Sequence, residues 1–183
     1  SSAPELHAWS RMFRTRARVL GRVAEAILGV PTTVPDLGTT GTFCFISEVT
    51  RRRAAEYAPW SMPDTTIVYS GIGGSLFTPD ASAMTAPWRG RLLYVGRYDP
   101  RKGIETAIRS LTHLDRGITL EVQGTGDAAE RERMVELARS LGVTDRVEFD
   151  AIDRTALVER YRAADVVVFP SEWEEPFGLV PLE

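Results

Sequence analysis

Strands and helices alternate through the second half of the chain, and this alternation constrains the fold more than any other feature. The predicted strands are residues 91–96, 117–124, 146–149 and 165–171. The predicted helices are residues 102–111, 127–142 and 154–164, with another helix from Phe177 onward. Because the strands are apolar along their length instead of alternating, they predict a parallel sheet covered on both faces. Right-handed crossovers make this a doubly wound α/β fold, in which ligands bind beyond the carboxyl ends of the strands.

The first half of the chain carries a weaker form of the same pattern. Residues 5–29 predict a helix with one apolar face and a stripe of arginines, Arg11 to Arg22, on another. FCFIS (43–47) and TIVYSGIGG (66–74) predict strands, and Ser47 is placed to cap a helix between them. The stretch 76–90 has no periodicity and predicts a linker. We therefore predict two Rossmann-like domains, residues 1–75 and 91–183.

The composition argues against several classes of protein. A net charge of −3 over 183 residues disfavours a nucleic-acid binder, which normally carries a basic excess. The single cysteine, Cys44, provides neither a disulfide framework nor a cysteine-based metal site. No apolar run approaches the ~20 residues of a membrane span. These features predict a protein of the cytoplasm that binds no nucleic acid.

Positive charge is concentrated where the first strand of the second domain ends. Gly96 and Arg97 close that strand, and Lys102 and Gly103 follow where the next helix begins. Glycine lets a ligand approach the backbone, Arg97 offers a planar fork of donors, and Lys102 offers a point charge. Together with the N–H groups at the helix start, these residues predict an anion site. The alternative is that both cations are ordinary solvated side chains.

The next strand ends in a G-x-G sequence, Gly124 to Gly126. On its own this is weak, because the dinucleotide fingerprint needs a third glycine three residues later, where the chain has Ala129. A nicotinamide-binding domain, with NAD bound at these glycines, stays open as an alternative.

Two glutamates flank the loop that follows the last strand. Glu175 and Glu183 stand eight positions apart, with Phe177, Gly178 and Leu179 between them. Carboxylates accept hydrogen bonds from sugar hydroxyls, whereas a helix start and nearby cations favour phosphate. This arrangement predicts a slot for a nucleotide sugar. The alternative is that one glutamate complements a helix dipole and the other is a surface residue.

Five motifs occur in order at a spacing typical of one enzyme family. They are GRYDPRKGIETAIRSL, VQGTG, LGVTDRVEF, YRAADVVVFPS and EEPFGLVPLE. With them the chain resembles the donor-binding half of the family 4 retaining glycosyltransferases of the GT-B fold. The resemblance is close over residues 91–183 and weaker over FISEVTRRRAAEY and IVYSGIGGSLFTP. It departs from the family at Ala151, where many members have glycine.

The resemblance implies a role for each matching residue. Arg97 and Lys102 would bind the donor diphosphate, Glu183 would hold the ribose hydroxyls, and Glu175 would face the transferred sugar. With Arg97 and Lys102, Glu175 would form the catalytic set. The remaining donor-binding positions would be Gly96, Gly124, Phe177, Gly178 and Leu179.

The resemblance also implies what surrounds this site. The donor would be a UDP-, GDP- or ADP-sugar, with no cofactor and no metal, and the acceptor a glycan, lipid or small molecule. Residues 1–75 would be the end of the acceptor-side domain and 91–183 the start of the donor-binding domain. We therefore expect the chain to be a fragment that is inactive alone, with the acceptor-side catalytic residues outside it.

Several alternatives remain at this stage. The chain is compatible with another GT-B enzyme, such as a glucan synthase or a nucleotide-sugar epimerase. It is also compatible with a non-catalytic module that binds nucleotide sugars. The arginine stripe from Arg11 to Arg22 is either a solvated face or a surface for peripheral contact with the inner face of a membrane.

Overall fold

The structure is a computed structural model that describes residues 41–57, 62–78, 86–151 and 153–183, together with residues 23, 26 and 27. These three residues are helical, and the rest of the predicted helix 5–29, including the arginine stripe, lies outside the described residues. The chain divides into two compact units, Ser1–Ser70 and Gly71–Glu183.

In the first unit two short parallel strands flank a helix. Strand β1 (Phe43–Phe45) pairs with β2 (Thr65–Ile67), and helix α1 (Glu48–Tyr57) connects them. As predicted, Ser47 caps α1: its Oγ accepts from the Thr50 N–H at 3.1 Å, and Thr50 Oγ1 accepts from the Ser47 N–H at 3.1 Å. Strand β2 is shorter than the predicted 66–74, because β1 offers only three residues to pair with and glycines follow.

The second unit is built on a four-stranded parallel sheet. Its strands are β3 (Arg91–Arg97), β4 (Thr119–Thr125), β5 (Val147–Asp150) and β6 (Val166–Val168). Helices α2 (Ile104–Ser110), α3 (Ala128–Ser140) and α4 (Arg154–Ala163) alternate with them. The spatial order β5-β4-β3-β6 confirms the doubly wound prediction. The chain moves outward from β3 to β5 and then returns to the other side of β3, so the order reverses between β3 and β6.

Helices lie on both faces of this sheet, but the edge strand β6 is not covered as predicted, since Val166 and Val167 are 43% and 38% exposed. Leu92, Tyr94, Leu120 and Val122 form one buried cluster with side chains of α2 and α3. Successive strand residues point to opposite faces, so Glu121 lies on the other face, where it pairs with Arg160 of α4 at 3.3 Å. Burial of each large apolar side chain contributes roughly 1.5–3 kcal/mol, which fixes the strands and the loops at their ends.

The segment after β6 differs from the prediction in two ways. The strand ends at Val168 instead of residue 171, since Pro170 has no N–H to continue the ladder. The predicted helix from Phe177 is a turn, in which the Leu182 and Glu183 N–H groups both bond to the Leu179 carbonyl at 2.8 and 3.0 Å. Pro181 cannot donate to the Phe177 carbonyl, so the first i→i−4 bond of that stretch is the one from Glu183 to Leu179, two residues later than predicted.

Candidate active site at the carboxyl ends of the strands

The loops that follow β3 and β6 meet where the strand order reverses. The Glu172 N–H donates to the Arg101 carbonyl at 2.9 Å. Gly103 has a φ of +69°, and a Cβ placed on it would lie 1.9 Å from the Pro170 carbonyl oxygen. Only glycine fits this conformation and this approach. The contact brings the residues after β3 against those after β6.

Lys102 and Glu175 form an ion pair across this junction. Lys102 Nζ lies 2.8 Å from both Glu175 Oε1 and Oε2, although the two residues are 73 positions apart in sequence. Their side chains are 19% and 16% exposed, so water screens the pair only in part. Two residues predicted to bind different parts of a donor therefore contact each other directly.

Glu175 has further donors besides Lys102. Its Oε2 accepts from Trp173 Nε1 at 3.0 Å and from Ser171 Oγ at 3.2 Å. Burial acts to raise the pKa of Glu175, but Lys102, Trp173 and Ser171 outweigh burial and hold that pKa below its usual value. Glu175 is therefore a carboxylate at neutral pH.

A second ion pair supports Trp173 from the β3 side. The Arg101 guanidinium lies 4.7 Å from the centre of the Trp173 ring, a cation–π contact, and Lys102 Nζ lies 5.7 Å from it. Arg101 Nε also donates to Asp99 Oδ1 at 3.0 Å. The side-chain and backbone donors of Arg101 lower the pKa of Asp99 to about 2. No local pattern in the sequence predicts these contacts of Trp173.

A groove opens at the carboxyl ends of β3 and β4. Its volume is about 440 Å³. It is lined by Val95, Gly96, Arg97, Gln123, Thr125, Leu157 and Glu183. Three of the predicted site residues, Gly96, Arg97 and Glu183, therefore share one surface.

The cation and the acid of the groove differ in how they are held. The Arg97 side chain is exposed, and within the part of the chain that the structure describes it has no hydrogen bond or ion pair. Its carbonyl accepts from the Tyr94 hydroxyl at 3.2 Å, which fixes the strand end. Glu183 Oε2 accepts from the Tyr161 hydroxyl at 2.8 Å, and the Tyr161 ring packs edge-on against Phe77. Sequence reasoning missed Tyr161, since its helical position gives no signal of this contact.

The remaining predicted positions have packing roles. A Cβ on Gly124 would lie 2.6 Å from the Tyr98 ring, so Tyr98 covers this glycine. Phe177, Gly178 and Leu179 are half-buried in the segment between the two glutamates. A Cβ on Gly178 would lie 3.0 Å from Phe169. Direct contact of these four residues with a ligand stays a prediction.

Within the described ranges no group of three or more His, Cys, Asp or Glu side chains is placed to hold a metal ion. No helix formed by these residues is long and apolar enough to cross a bilayer.

Comparison with known proteins identifies relatives of this chain. The family model described as "Glycosyl transferases group 1" matches residues 89–183. The D-inositol 3-phosphate glycosyltransferase of Corynebacterium diphtheriae is 37% identical over 139 residues, which cover 66% of this chain and 32% of the relative. A glycogen synthase of Mycobacterium tuberculosis is 34% identical over 126 residues, which cover 67% and 30%. The chain thus spans about a third of the length of the curated relatives it matches.

Solved structures show the same architecture. Anabaena HepE in complex with UDP and glucose superposes with a TM-score of 0.66 at 18% identity, over 91% of this chain and 44% of that one. WaaG, a glycosyltransferase involved in lipopolysaccharide biosynthesis, superposes with a TM-score of 0.64 at 20% identity, over 93% and 47%. At this identity the likeness concerns the fold, and it confirms the predicted GT-B type of α/β architecture.

Proposed function

Since the chain belongs to the glycosyl transferases group 1 family, we propose that it is part of an enzyme that transfers a sugar from a nucleotide-diphosphate-sugar donor to an acceptor. We place it in family 4, as a hexosyltransferase that retains the anomeric configuration of the sugar. The donor carries uracil, guanine or adenine, and the acceptor is a glycan, lipid or small molecule. The observation that carries the proposal is that Arg97 and Glu183 line one groove at the carboxyl ends of β3 and β4, while the Lys102–Glu175 pair joins the loops that follow β3 and β6 at the same edge of the sheet.

Arg97 and Lys102 are the proposed diphosphate ligands. The Arg97 guanidinium is exposed in the groove and presents donors suited to phosphate oxygens. Lys102 directly precedes Gly103, where the chain turns into α2 beside the β6 loop. When the bond between the sugar C1 and the diphosphate oxygen breaks, negative charge builds on the leaving diphosphate. Fixed cations stabilise that charge, with no reorganisation needed at the moment of reaction.

The two glutamates are the proposed hydroxyl ligands. Glu183 lines the groove and is oriented by Tyr161, which favours a role at the ribose. Glu175 lies beside Lys102, so it would meet the sugar that the diphosphate carries. Both are acceptors for hydroxyl groups when ionised. The complex of Anabaena HepE with UDP and glucose, in a protein of the same fold, supports a ligand of this kind.

Calorimetric titration of the full-length polypeptide with UDP, GDP, ADP and NAD tests the donor site. We expect one nucleoside diphosphate to bind, and Arg97→Ala and Glu183→Ala each to weaken it more than tenfold, about 1.4 kcal/mol. Arg116→Ala and Glu132→Ala are matched controls, because both side chains are exposed outside the groove. They should leave the affinity unchanged.

The same titration separates the proposal from its rivals. Binding of NAD alone, or of no nucleoside diphosphate, would refute the donor site. Binding followed by no transfer to any acceptor would indicate a non-catalytic module. Transfer with retention would be seen by NMR of the product, in which the new glycosidic bond keeps the configuration that the sugar had in the donor.

A glucan synthase is a second candidate that uses the same donor site. The 34% identity to a glycogen synthase favours it. The discriminating assay supplies ADP-glucose or UDP-glucose with a short α-glucan primer. Elongation of the primer would select this candidate, and its absence alongside transfer to a small acceptor would exclude it.

A further inference from the structure

The two oxygens of Glu175 are held differently. Oε1 accepts from Lys102 at 2.8 Å, and among the described residues it has no other donor. Oε2 accepts from Lys102 at 2.8 Å, from Trp173 Nε1 at 3.0 Å and from Ser171 Oγ at 3.2 Å. If Lys102 leaves, Oε2 keeps two donors and Oε1 becomes a free acceptor.

Trp173 is itself fixed independently of Glu175. Its ring lies against the Arg101 guanidinium at 4.7 Å. Arg101 is held through two side-chain bonds to Asp99, at 3.0 and 2.6 Å, and its carbonyl accepts from the Glu172 N–H. The Arg101 contact ties the indole to the β3 loop, so this support remains when Lys102 moves.

We propose that Trp173 is a positioning residue. It holds Oε2 of Glu175 when the Lys102 ammonium group moves to the donor diphosphate. Oε1 then accepts a hydrogen bond from a hydroxyl of the donor sugar. This inference rests on the proposed function. It assigns to Trp173 a task that no family motif gives it, since the residue lies outside the E-x7-E pair.

The need for such an anchor follows from the electrostatics of the site. The Lys102 ammonium group is paired with Glu175, which partly neutralises its charge. While this pair persists, that charge is not fully available to a donor phosphate. A phosphate that draws Lys102 away leaves a half-buried carboxylate that requires other donors. Trp173 and Ser171 provide them on one oxygen, which keeps the carboxylate from following the ammonium group. Without the indole N–H, Oε2 of Glu175 would lose one of its two remaining donors, and the carboxylate would turn away from the sugar.

The test compares sugar-dependent binding in single variants of the full-length polypeptide. Trp173→Phe keeps an aromatic ring to face Arg101 and removes the indole N–H together with the five-membered ring that carries it. Trp88→Phe is the matched control, because Trp88 is 61% exposed. Affinities are measured by calorimetry for UDP and UDP-glucose, GDP and GDP-mannose, and ADP and ADP-glucose. The quantity of interest is the gain in affinity that the sugar adds to its nucleoside diphosphate.

We expect Trp173→Phe to reduce that gain by about tenfold, the effect of one hydrogen bond to a charged group. The affinity for the nucleoside diphosphate itself should be unchanged in this variant. Trp88→Phe should change neither quantity, and Trp173→His, which restores a ring N–H, should recover part of the gain. A general loss of structure would not reproduce this pattern, because it would weaken both ligands.

The other outcomes overturn the inference. An unchanged sugar gain in Trp173→Phe would show that the N–H does not orient Glu175. An equal loss for the diphosphate and for the nucleotide sugar would show that Trp173 acts through Lys102 or through the loop as a whole. A wild-type protein that gains nothing from the sugar would refute the inference but leave the donor site intact. If wild-type protein binds none of the six ligands, the proposed function fails and the inference with it.

Discussion

Neutralising Lys102 and Glu175 together should be far less harmful to folding than neutralising Lys102 alone. The double-mutant cycle uses Lys102→Met, Glu175→Gln and the combination. Lys102→Met leaves a carboxylate that is only 16% exposed, with Trp173 and Ser171 as its remaining donors. Glu175→Gln is milder, because the long Lys102 stem can carry its ammonium group toward water.

The size of the coupling follows from the geometry of the pair. Exposed ion pairs contribute roughly 0–1 kcal/mol, and hydrogen bonds to charged groups contribute roughly 1.5–3 kcal/mol. Lys102 Nζ makes two hydrogen bonds of 2.8 Å, and the two side chains are only 19% and 16% exposed. The pair therefore resembles hydrogen bonds to charged groups more than an exposed ion pair. Desolvation of both charges offsets part of the gain. We therefore expect a coupling free energy of about 2 kcal/mol, in the lower half of the second range.

The pH dependence of the free energy of unfolding gives an independent check on the direction of the Glu175 pKa shift. The pKa of Glu175 is lowered in the folded protein, so its contribution to stability is present above the unfolded-state value, roughly 4.3. That contribution is lost as the pH falls through the lowered folded-state pKa. In Lys102→Met the folded-state pKa of Glu175 moves back toward its unfolded-state value. The part of the free energy of unfolding that is lost in acid should therefore be smaller in this variant.

Urea denaturation of the four proteins at pH 7 and at about pH 3 measures both effects. A coupling under 0.5 kcal/mol, below the range for charged hydrogen bonds, would refute the electrostatic reading of the pair. A coupling free energy that does not decrease at the lower pH would refute the lowered pKa assigned to Glu175. Equal slopes against urea across the four proteins are the control for an unchanged unfolding reaction.

Two further predictions concern the scaffold of the site. Gly103→Ala should cost about 3 kcal/mol or more in the free energy of unfolding, because a Cβ there would lie 1.9 Å from the Pro170 carbonyl oxygen at a φ of +69°. Gly142→Ala, at a φ of +68° with open space around it, should cost only about 1–2 kcal/mol, and equal costs in urea melts would contradict the steric argument. Arg146→Ala should cost about 2–4 kcal/mol, because its guanidinium bonds to the carbonyls of Leu111, Leu114, Asp115 and Ile118 at 2.8–3.4 Å. Thermal unfolding beside the exposed control Arg116→Ala checks it, and similar melting temperatures for the two variants would show that these bonds stabilise nothing.

The sequence determined the architecture of the second unit because that information is local. Apolar runs of strand length and the helices between them require a parallel sheet, and a parallel sheet places its binding surface at the carboxyl ends of its strands. Gly96 and Arg97 could be predicted as site residues because they close such a strand, and Glu183 because of its spacing from Glu175 in the segment after the last strand. The structure brings all three to one groove. Cap residues such as Ser47 were predictable for the same local reason.

Element boundaries were predicted less well where local pattern and pairing disagree. Strand β2 ends where its partner ends, which the sequence of β2 does not encode. The turn after Gly178 begins at Leu179 and not at Phe177, because Pro181 lacks the N–H that would bond to the Phe177 carbonyl.

Only the tertiary structure decided which groups contact one another at the site. Lys102 and Glu175 are 73 positions apart, and the adjacency of β3 and β6 brings them within 2.8 Å. The same adjacency sets Trp173 between Arg101 and Glu175 and makes Gly103 indispensable beside Pro170. These contacts depend on strand order and on packing between distant segments, which no short window of sequence contains. The sequence therefore identified the candidate residues of the site, whereas the fold decided which of them contact each other.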